Sequence, residues 1–397
     1  MSGWHKLRDF YESNALSHAN CQPLVSPLAA ISTAVSRDNE TMLALLLAAI
    51  LPPGVIIDHH PALKREYIGS PSIAIAADGG YVASHDFFGA DSTQSSSAVT
   101  RVFRSEDKGL TWTKTAEFND QFWSNLFVHR GQLYLMGTTY EYGRIVIRKS
   151  VDGGRSWSGA SILHPATGYH TAPVPIVEKG GKLWRAMEFH PEGKWGGFEA
   201  FVLSAPVNAD LTLAGSWKMT SSLAYPKSLA PEGETWLEGN VVVAKDGTLL
   251  NILRVHNKEK AAITKLKNGK LVFYKLVNFP GGAKKFSIRY DRKSRLYWTL
   301  SNPALPQFPE SAVNPSLVRN TLVLMSSKDL NSWKVERTVL SHPDVAKHAF
   351  QYVDWQFDGK DLIVASRTAF DDETGGAHRQ HDANFLTFHR VEKFRKQ

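Results

Sequence analysis

From Ser72 onward the chain repeats one pattern of apolar and polar positions. An alternating apolar stretch runs into a turn rich in Gly, Asp or Lys, and a second alternating stretch runs back. The copies are Ser72–His85 around Asp78-Gly79-Gly80, Leu126–Thr138 around Arg130-Gly131, and Val174–Glu188 around Lys179-Gly180-Gly181. Asn240–Val255 follows around Asp246-Gly247, Phe286–Asn302 around Asp291–Ser294, and Phe350–Arg367 around Asp358-Gly359. Period-two alternation of β-branched and aromatic residues across such turns predicts β-hairpins. Each is followed by a second, outer pair: Val99–Phe118, Arg144–Leu163, Glu199–Met219, Lys260–Phe279, Asn320–Leu340 and Asp382–Val391. Six four-stranded units at regular spacing predict a radial repeat rather than a sandwich. The fold class is therefore all-β, a six-bladed β-propeller, or seven-bladed if a loop conceals a blade. The last outer pair shows one clear strand, and Val55–Tyr67 is placed to supply its partner and remove the open edge. Residues 1–53 read as a short helical or irregular N-terminal extension ended by Pro52-Pro53-Gly54, and 54–397 as the propeller.

The turns of two outer pairs carry one octapeptide. Ser105-Glu106-Asp107-Lys108-Gly109-Leu110-Thr111-Trp112 and Ser150-Val151-Asp152-Gly153-Gly154-Arg155-Ser156-Trp157 both read S-x-D-x-G-x-[ST]-W. Ser327-Lys328-Asp329-Leu330-Asn331-Ser332-Trp333 is a worn copy without the Gly. The Asp and Ser/Thr are suited to bonding backbone N–H groups within the turn, the Gly to positive φ, and the Trp to anchoring the turn on its own blade. These octapeptides resemble the Asp-boxes (BNR repeats) of the sialidase superfamily. The resemblance covers roughly residues 55–395 and speaks to fold, because Asp-boxes lie away from the catalytic centre.

Composition changes this picture little. The 397 residues are 43% apolar and 21% charged, with 11 Trp and 29 Gly, as many aromatic-anchored hairpins require. A net charge of +8, spread without basic blocks, tilts toward an anionic partner, and no nucleic-acid motif is present. The single Cys21 leaves no internal disulfide and no Cys-based metal cluster. Met42–Leu51 has the length of a signal-peptide core. It follows Arg37-Asp38-Asn39-Glu40 rather than a basic start, so a short packed helix is the expectation, with secretion or a periplasmic location the lesser one. No stretch is long enough to span a bilayer.

The same resemblance points to chemistry. Sialidases use a Tyr nucleophile activated by a Glu, an Asp acid/base and three Arg residues on the substrate carboxylate. Glu238-Gly239-Asn240, with Arg254 across Asp246-Gly247, resembles the segment carrying the activating Glu and the second Arg. Ser301-Asn302-Pro303 with Arg319-Asn320-Thr321-Leu322 resembles the segment of the third Arg, and Tyr352-Val353-Asp354-Trp355 the nucleophile strand. Two places depart from the pattern. Gly69-Ser70-Pro71 stands where Arg-Ile-Pro is expected, and Ser95-Ser96-Ser97 where the acid/base Asp belongs, with Asp91 the nearest carboxylate. The expected catalytic set is thus Tyr352 and Glu238, with His85 or His170 for proton transfer. Arg254, Arg319, Arg185 and Asp86 are the expected substrate-binding residues, with Glu188 beside Arg185. Ser84-His85-Asp86 and Trp236–Asn240 also resemble, more loosely, rhamnosyl-glucuronate-cleaving and ulvan-lyase propellers, in which His, Tyr and Arg act on uronates.

His378, His381 and Asp382 have a spacing open to metal binding, but a polar loop is the preferred reading; no metal or cofactor is expected. The implied function is cleavage of an acidic glycan, with uronic acids favoured by the missing first Arg, either by hydrolysis or by elimination. A divergent exo-α-sialidase is the enzyme alternative. The non-enzyme alternative is a propeller that only binds glycan or protein.

Overall fold

The computed structural model describes residues 51–89, 99–229, 235–308 and 314–396. Residues 1–50 of the expected extension, with Met42–Ile50 of the signal-like stretch, and the loop holding Asp91 and Ser95–Ser97 lie outside them. Pro52–Gln397 forms one compact unit of six antiparallel sheets, a six-bladed β-propeller. The innermost strands are Ser72–Ile75, Phe122–His129, Val177–Lys179, Trp236–Val243, Ser287–Asp291 and Ala349–Asp358. In blade 3 the inner strand is broken, with Tyr169–His170 and Val177–Lys179 pairing separately with Lys182–Phe189. Pro173 and Pro175 lie between them, and proline cannot donate to a ladder. The outer strand of blade 6 is the early strand Val55–His59, paired Val55↔Phe388 through His59↔Phe385. Val55–His59 therefore closes the ring, as the sequence anticipates.

Both faces of every blade are buried, because each strand sends alternate residues to alternate neighbours. Val242, Leu250 and Ile252 pack with blade 5, whereas Val241, Leu253 and Val255 of the same hairpin pack with blade 3. Six such apolar clusters fill the six interfaces between adjacent blades. Burying one such side chain is worth about 1.5–3 kcal/mol, so these interfaces carry most of the driving force.

The two octapeptides fold alike at the end of the blades away from the inner-strand starts. Gly109 N donates to Ser105 Oγ and Thr111 N to Asp107 Oδ1, at 2.8 and 2.9 Å. Gly154 N and Ser156 N make the same bonds to Ser150 Oγ and Asp152 Oδ1, at 2.8 and 2.9 Å. The tryptophans differ from expectation. They are half-buried, and each reaches the preceding blade instead of its own: Trp112 packs on Phe388 at 5.6 Å and Trp157 on Phe118 at 6.2 Å. Trp333 does the same with Phe279 at 4.9 Å. The turn sits at the rim of an inter-blade seam, where the nearest apolar surface belongs to the neighbour.

Candidate active site

Among the described residues, three non-glycine residues inside strands have positive φ: Trp123 (46°), Glu238 (56°) and Tyr352 (55°). Each sits at a β-bulge near the start of an inner strand, in blades 2, 4 and 6. A bulge takes one residue out of the ladder and re-aims its side chain. Here it turns all three toward the head of the propeller axis. Holding a bulky residue in this region costs on the order of 1–3 kcal/mol, so the surroundings must hold it. A buried titratable side chain of the preceding blade does so each time. Asp86 Oδ2 accepts from Trp123 N at 2.5 Å, and Glu188 Oε1 from Gly239 N at 2.9 Å. Lys285 Nζ donates to Val353 O at 2.7 Å and Tyr352 O at 3.4 Å. Two residues beyond each bulge, a polar side chain ties the following blade. Asn125 accepts from Arg185 Nε at 2.9 Å, Asn240 Oδ1 from Ile288 N at 3.0 Å, and Asp354 Oδ2 from Ser72 Oγ at 2.8 Å.

Two of the re-aimed residues meet. The Tyr352 hydroxyl donates to Glu238 Oε1 at 2.8 Å and accepts from Arg254 Nη1 at 3.0 Å. Arg254 Nη1 also donates to Glu238 Oε2 at 2.7 Å. Glu238 and Arg254 are buried, whereas Tyr352 is part exposed. Burial alone pushes the Glu238 pKa up. Arg254 and His170 nearby, with hydrogen bonds from Arg254 and Tyr352, outweigh it and hold Glu238 below the usual carboxylate range. An ionised carboxylate on a phenol hydroxyl is a base in contact with a nucleophile.

Two further guanidinium groups surround the Tyr352 ring, Arg319 at 5.6 Å and Arg367 at 5.0 Å from its centroid. Arg319 donates to Ser316 O at 2.8 Å and to Gln351 Oε1. Arg367 lies over Phe88 at 4.3 Å and donates to the His381 carbonyl, leaving its Nε buried without a partner. Burial, against the opposing pull of Tyr352, lowers the Arg367 pKa to about 10. Arg254, Arg319 and Arg367 thus stand around the Tyr352 side chain, a cluster of positive charge that suits an anionic ligand.

An aromatic wall flanks Glu238 on the blade 2–4 side. His170 Nδ1 is 3.0 Å from Glu188 Oε2, the carboxylate whose other oxygen holds the Glu238 bulge. The His170 ring lies 4.4 Å from Trp123 and 6.4 Å from Trp195, and Trp195 is 5.4 Å from His256. Burial, then Arg254 and Arg319, lower the His256 pKa to about 3, so it stays neutral.

The structure therefore brings Tyr352, Glu238, Arg254 and Arg319 together, with His170 beside Glu238. It does not bring in His85, Asp86 or Arg185. His85 Nε2 is engaged by Asp58 Oδ2 at 2.8 Å and Nδ1 by the Asp86 carbonyl at 3.0 Å. Asp86 spends both oxygens on the backbone of Ser70 and Trp123. Arg185 is fully buried on Asn125 and Thr171, as a tie between blades 2 and 3. His378 lies against Tyr67 at 3.4 Å, apart from the His381–Asp382 pair at 3.0 Å, so the three do not converge as metal ligands. Arg367, Trp123 and Lys285 escape the sequence reading. A signal exists for the first: Arg367 pairs with Gln351 as Arg254 pairs with Leu237, in the residue next to each bulge.

No family model matches the chain, and no curated protein matches it in sequence. Solved structures match it in fold. A Hadza microbial sialidase superposes with a TM-score of 0.59 at 12% identity, over 85% of this chain and 68% of that one. The Trypanosoma rangeli sialidase gives a TM-score of 0.56 at 16% identity over 82% of this chain, which spans 55% of that chain. The α-L-arabinanase of Penicillium chrysogenum gives 0.53 at 13% identity, over 86% of this chain and 98% of that one. The chain is a divergent, sialidase-like propeller in fold.

Proposed function

We propose that the chain is a retaining glycoside hydrolase acting on a carboxylated sugar, with Tyr352 as nucleophile and Glu238 as its base. The observation that carries this reading is the Tyr352 hydroxyl shared between Glu238 at 2.8 Å and Arg254 at 3.0 Å. A neutral phenol approaches a carbon beside a carboxylate without the repulsion an anionic nucleophile meets, provided a base takes its proton. Glu238 accepts that proton as the Tyr352 oxygen bonds to the anomeric carbon and the glycosidic bond breaks. His170, oriented by Glu188, gives its proton to the departing oxygen. In the second half, His170 takes a proton from water, whose oxygen attacks the anomeric carbon; the Tyr–carbon bond breaks, and Tyr352 recovers its proton from Glu238. Arg254, Arg319 and Arg367 hold the carboxylate. Charge repulsion matters most when that carboxylate is on the anomeric carbon, which favours a 2-ulosonic acid glycoside over a uronate. The vacancy at Gly69-Ser70-Pro71 no longer argues the other way, because Arg367 brings a third guanidinium from another blade.

The test is a screen on sialyllactose and uronate polysaccharides, following reducing ends and the absorbance of unsaturated uronate. Reducing ends without new absorbance are expected. Tyr352→Phe is expected to lower kcat by about a thousandfold or more while substrate still binds. Unsaturated product, or near-normal turnover by Tyr352→Phe, overturns the nucleophile role.

A further inference from the structure

Tyr352 and Val353 are the two residues that the blade 6 ladder skips, since pairing passes from Gln351↔Arg367 to Asp354↔Ala365. Both of their carbonyls turn instead to the Lys285 ammonium, at 3.4 and 2.7 Å. Its third proton goes to Ser287 Oγ at 2.9 Å, and that hydroxyl gives its own proton to Pro173 O. Three N–H groups thus face three acceptors, none of them charged. Lys285 is buried, 1% exposed. Asp354 nearby is engaged by Arg289 and Ser72, and Glu238 by Arg254 and Tyr352. A buried ammonium among uncharged partners is costly, and an uncharged side chain of similar length avoids that cost. The other two bulges are held by carboxyl groups that accept from backbone N–H groups. Of the three, the bulge beneath the reactive hydroxyl is the one held by an amine.

We infer that Lys285 is a positioning residue for Tyr352: its ammonium holds both carbonyls of the bulge, and loss of one proton loosens the bulge and the hydroxyl it aims. The consequence for turnover rests on the reading of Tyr352 as nucleophile; the consequence for structure rests on the hydrogen bonds alone. A neutral amine has two N–H groups and a lone pair, so one of the three acceptors loses its donor. The bonds that remain lose the strength that charge lends them. The Tyr352 carbonyl, at the longest distance, is the one expected to go. Burial, helped by Arg289 and opposed by Asp354 and Glu238, brings the Lys285 pKa down to about 8. Tyr352 is the other titratable residue against it. Lys284, also at about 8, is held separately by Glu259 and Pro315 O. Stability moves the opposite way from turnover. The folded pKa lies below 10.5, so between the two values the unfolded chain holds more protons, and Lys285 makes the fold more stable as pH rises across them. Alkaline inactivation through this group therefore takes place in the folded protein.

Isotope-edited NMR of the intact chain, labelled at the tyrosine ζ carbon, reads this without any turnover. Loss of one signal in Tyr352→Phe assigns Tyr352. Raising the pH from about 7 to about 9.5 should move that signal with a midpoint at about 8, while circular dichroism remains that of the folded chain. Lys285→Gln has two N–H groups at every pH and Lys285→Met has none, so the movement should be absent in both. Either variant carries the test alone if the other does not fold. A Tyr352 signal that stays put in the wild type, or moves equally in the variants, overturns the inference. Where a carboxylated glycoside is cleaved, wild-type kcat should fall above a pH of about 8. At neutral pH, Lys285→Gln should lower kcat about tenfold with KM changed less than about twofold, and should show no such fall; Lys285→Met should lie lower still. Wild-type kcat in both variants overturns the positioning role and leaves the hydrolase reading standing. If no carboxylated glycoside is cleaved but the Lys285-dependent movement persists, the hydrolase reading falls and the positioning role stands.

Discussion

At the scale of single residues, the site works by burying charge where it is needed and pairing it. Arg367 is the exception to that pairing: buried, without a partner at Nε, and 5.0 Å from the Tyr352 ring. Arg367→Lys keeps the charge but loses the fork that matches a carboxylate. It is expected to raise KM for sialyllactose about tenfold or more, and to leave binding of lactose unchanged by titration. Equal effects on both place Arg367 outside carboxylate recognition. Glu238 gives a pH expectation. Its folded pKa is depressed below 4.5, so its ionised form, and the stability it lends, is present above that value and lost as pH falls through the folded pKa. The acid limb of kcat/KM assigned to Glu238 should therefore lie below pH 4.5. Arg254→Gln removes the largest of the lowering influences, so the limb should move up. A limb that stays put separates it from Glu238. The gathering of Tyr352, Glu238, Arg254 and Arg319 was legible because each stands in a segment whose neighbours also resemble a known site. His85, Asp86 and Arg185 are held in other hydrogen-bond networks, for a physical reason the sequence does not reveal. Polar residues at strand ends serve equally as ligand contacts or as ties between blades, and only the partner's position decides which.

At the scale of elements, the recurring device is the inner-strand bulge in alternate blades. It was written in the sequence but not read there. Trp123-Ser124-Asn125, Glu238-Gly239-Asn240 and Tyr352-Val353-Asp354 share a short pattern: the aimed residue, a spacer, then an Asn or Asp that ties the next blade. Hydrophobic alternation locates the hairpins and is blind to this, because a bulge shifts the register by a residue without altering composition. The octapeptide turns were legible through their repetition, yet the direction of their tryptophans was not, since it depends on the neighbouring blade. That placement sets the cost of losing one. Trp157 is half-buried against Phe118 and beneath the Arg148-backed seam, so Trp157→Ala should destabilise by about 2–3 kcal/mol, short of the ~3–5 of a fully buried Trp. Denaturant unfolding measures this, and activity per folded molecule should be unchanged. A loss of activity without a loss of stability contradicts the turn's distance from the site.

At the scale of the whole molecule, the ring is closed by one short strand, and the closure decides which parts of the chain are dispensable. Val55–His59 completes blade 6, and Ile57 packs with Ile68, Phe103 and Leu386 in the seam between blades 6 and 1. Asp58 in that strand takes the His85 ring and Arg101 of blade 1, at 2.8 and 3.1 Å, so the closing strand binds both neighbours. Pro52–Gln397 is by itself one compact unit. Removing residues 1–53 is therefore expected to leave a folded, β-rich propeller with the melting temperature of the full chain, read by circular dichroism. Removing residues 1–60 takes away the closing strand. The edge Phe385–Val391 is then left with unpaired N–H and C=O groups and an uncovered apolar face, a template for pairing with other chains. That truncation should melt at a markedly lower temperature and elute as oligomers in size-exclusion chromatography. Should the shorter truncation itself unfold or aggregate, the extension is part of the propeller's stability, and the boundary drawn at residue 54 is misplaced.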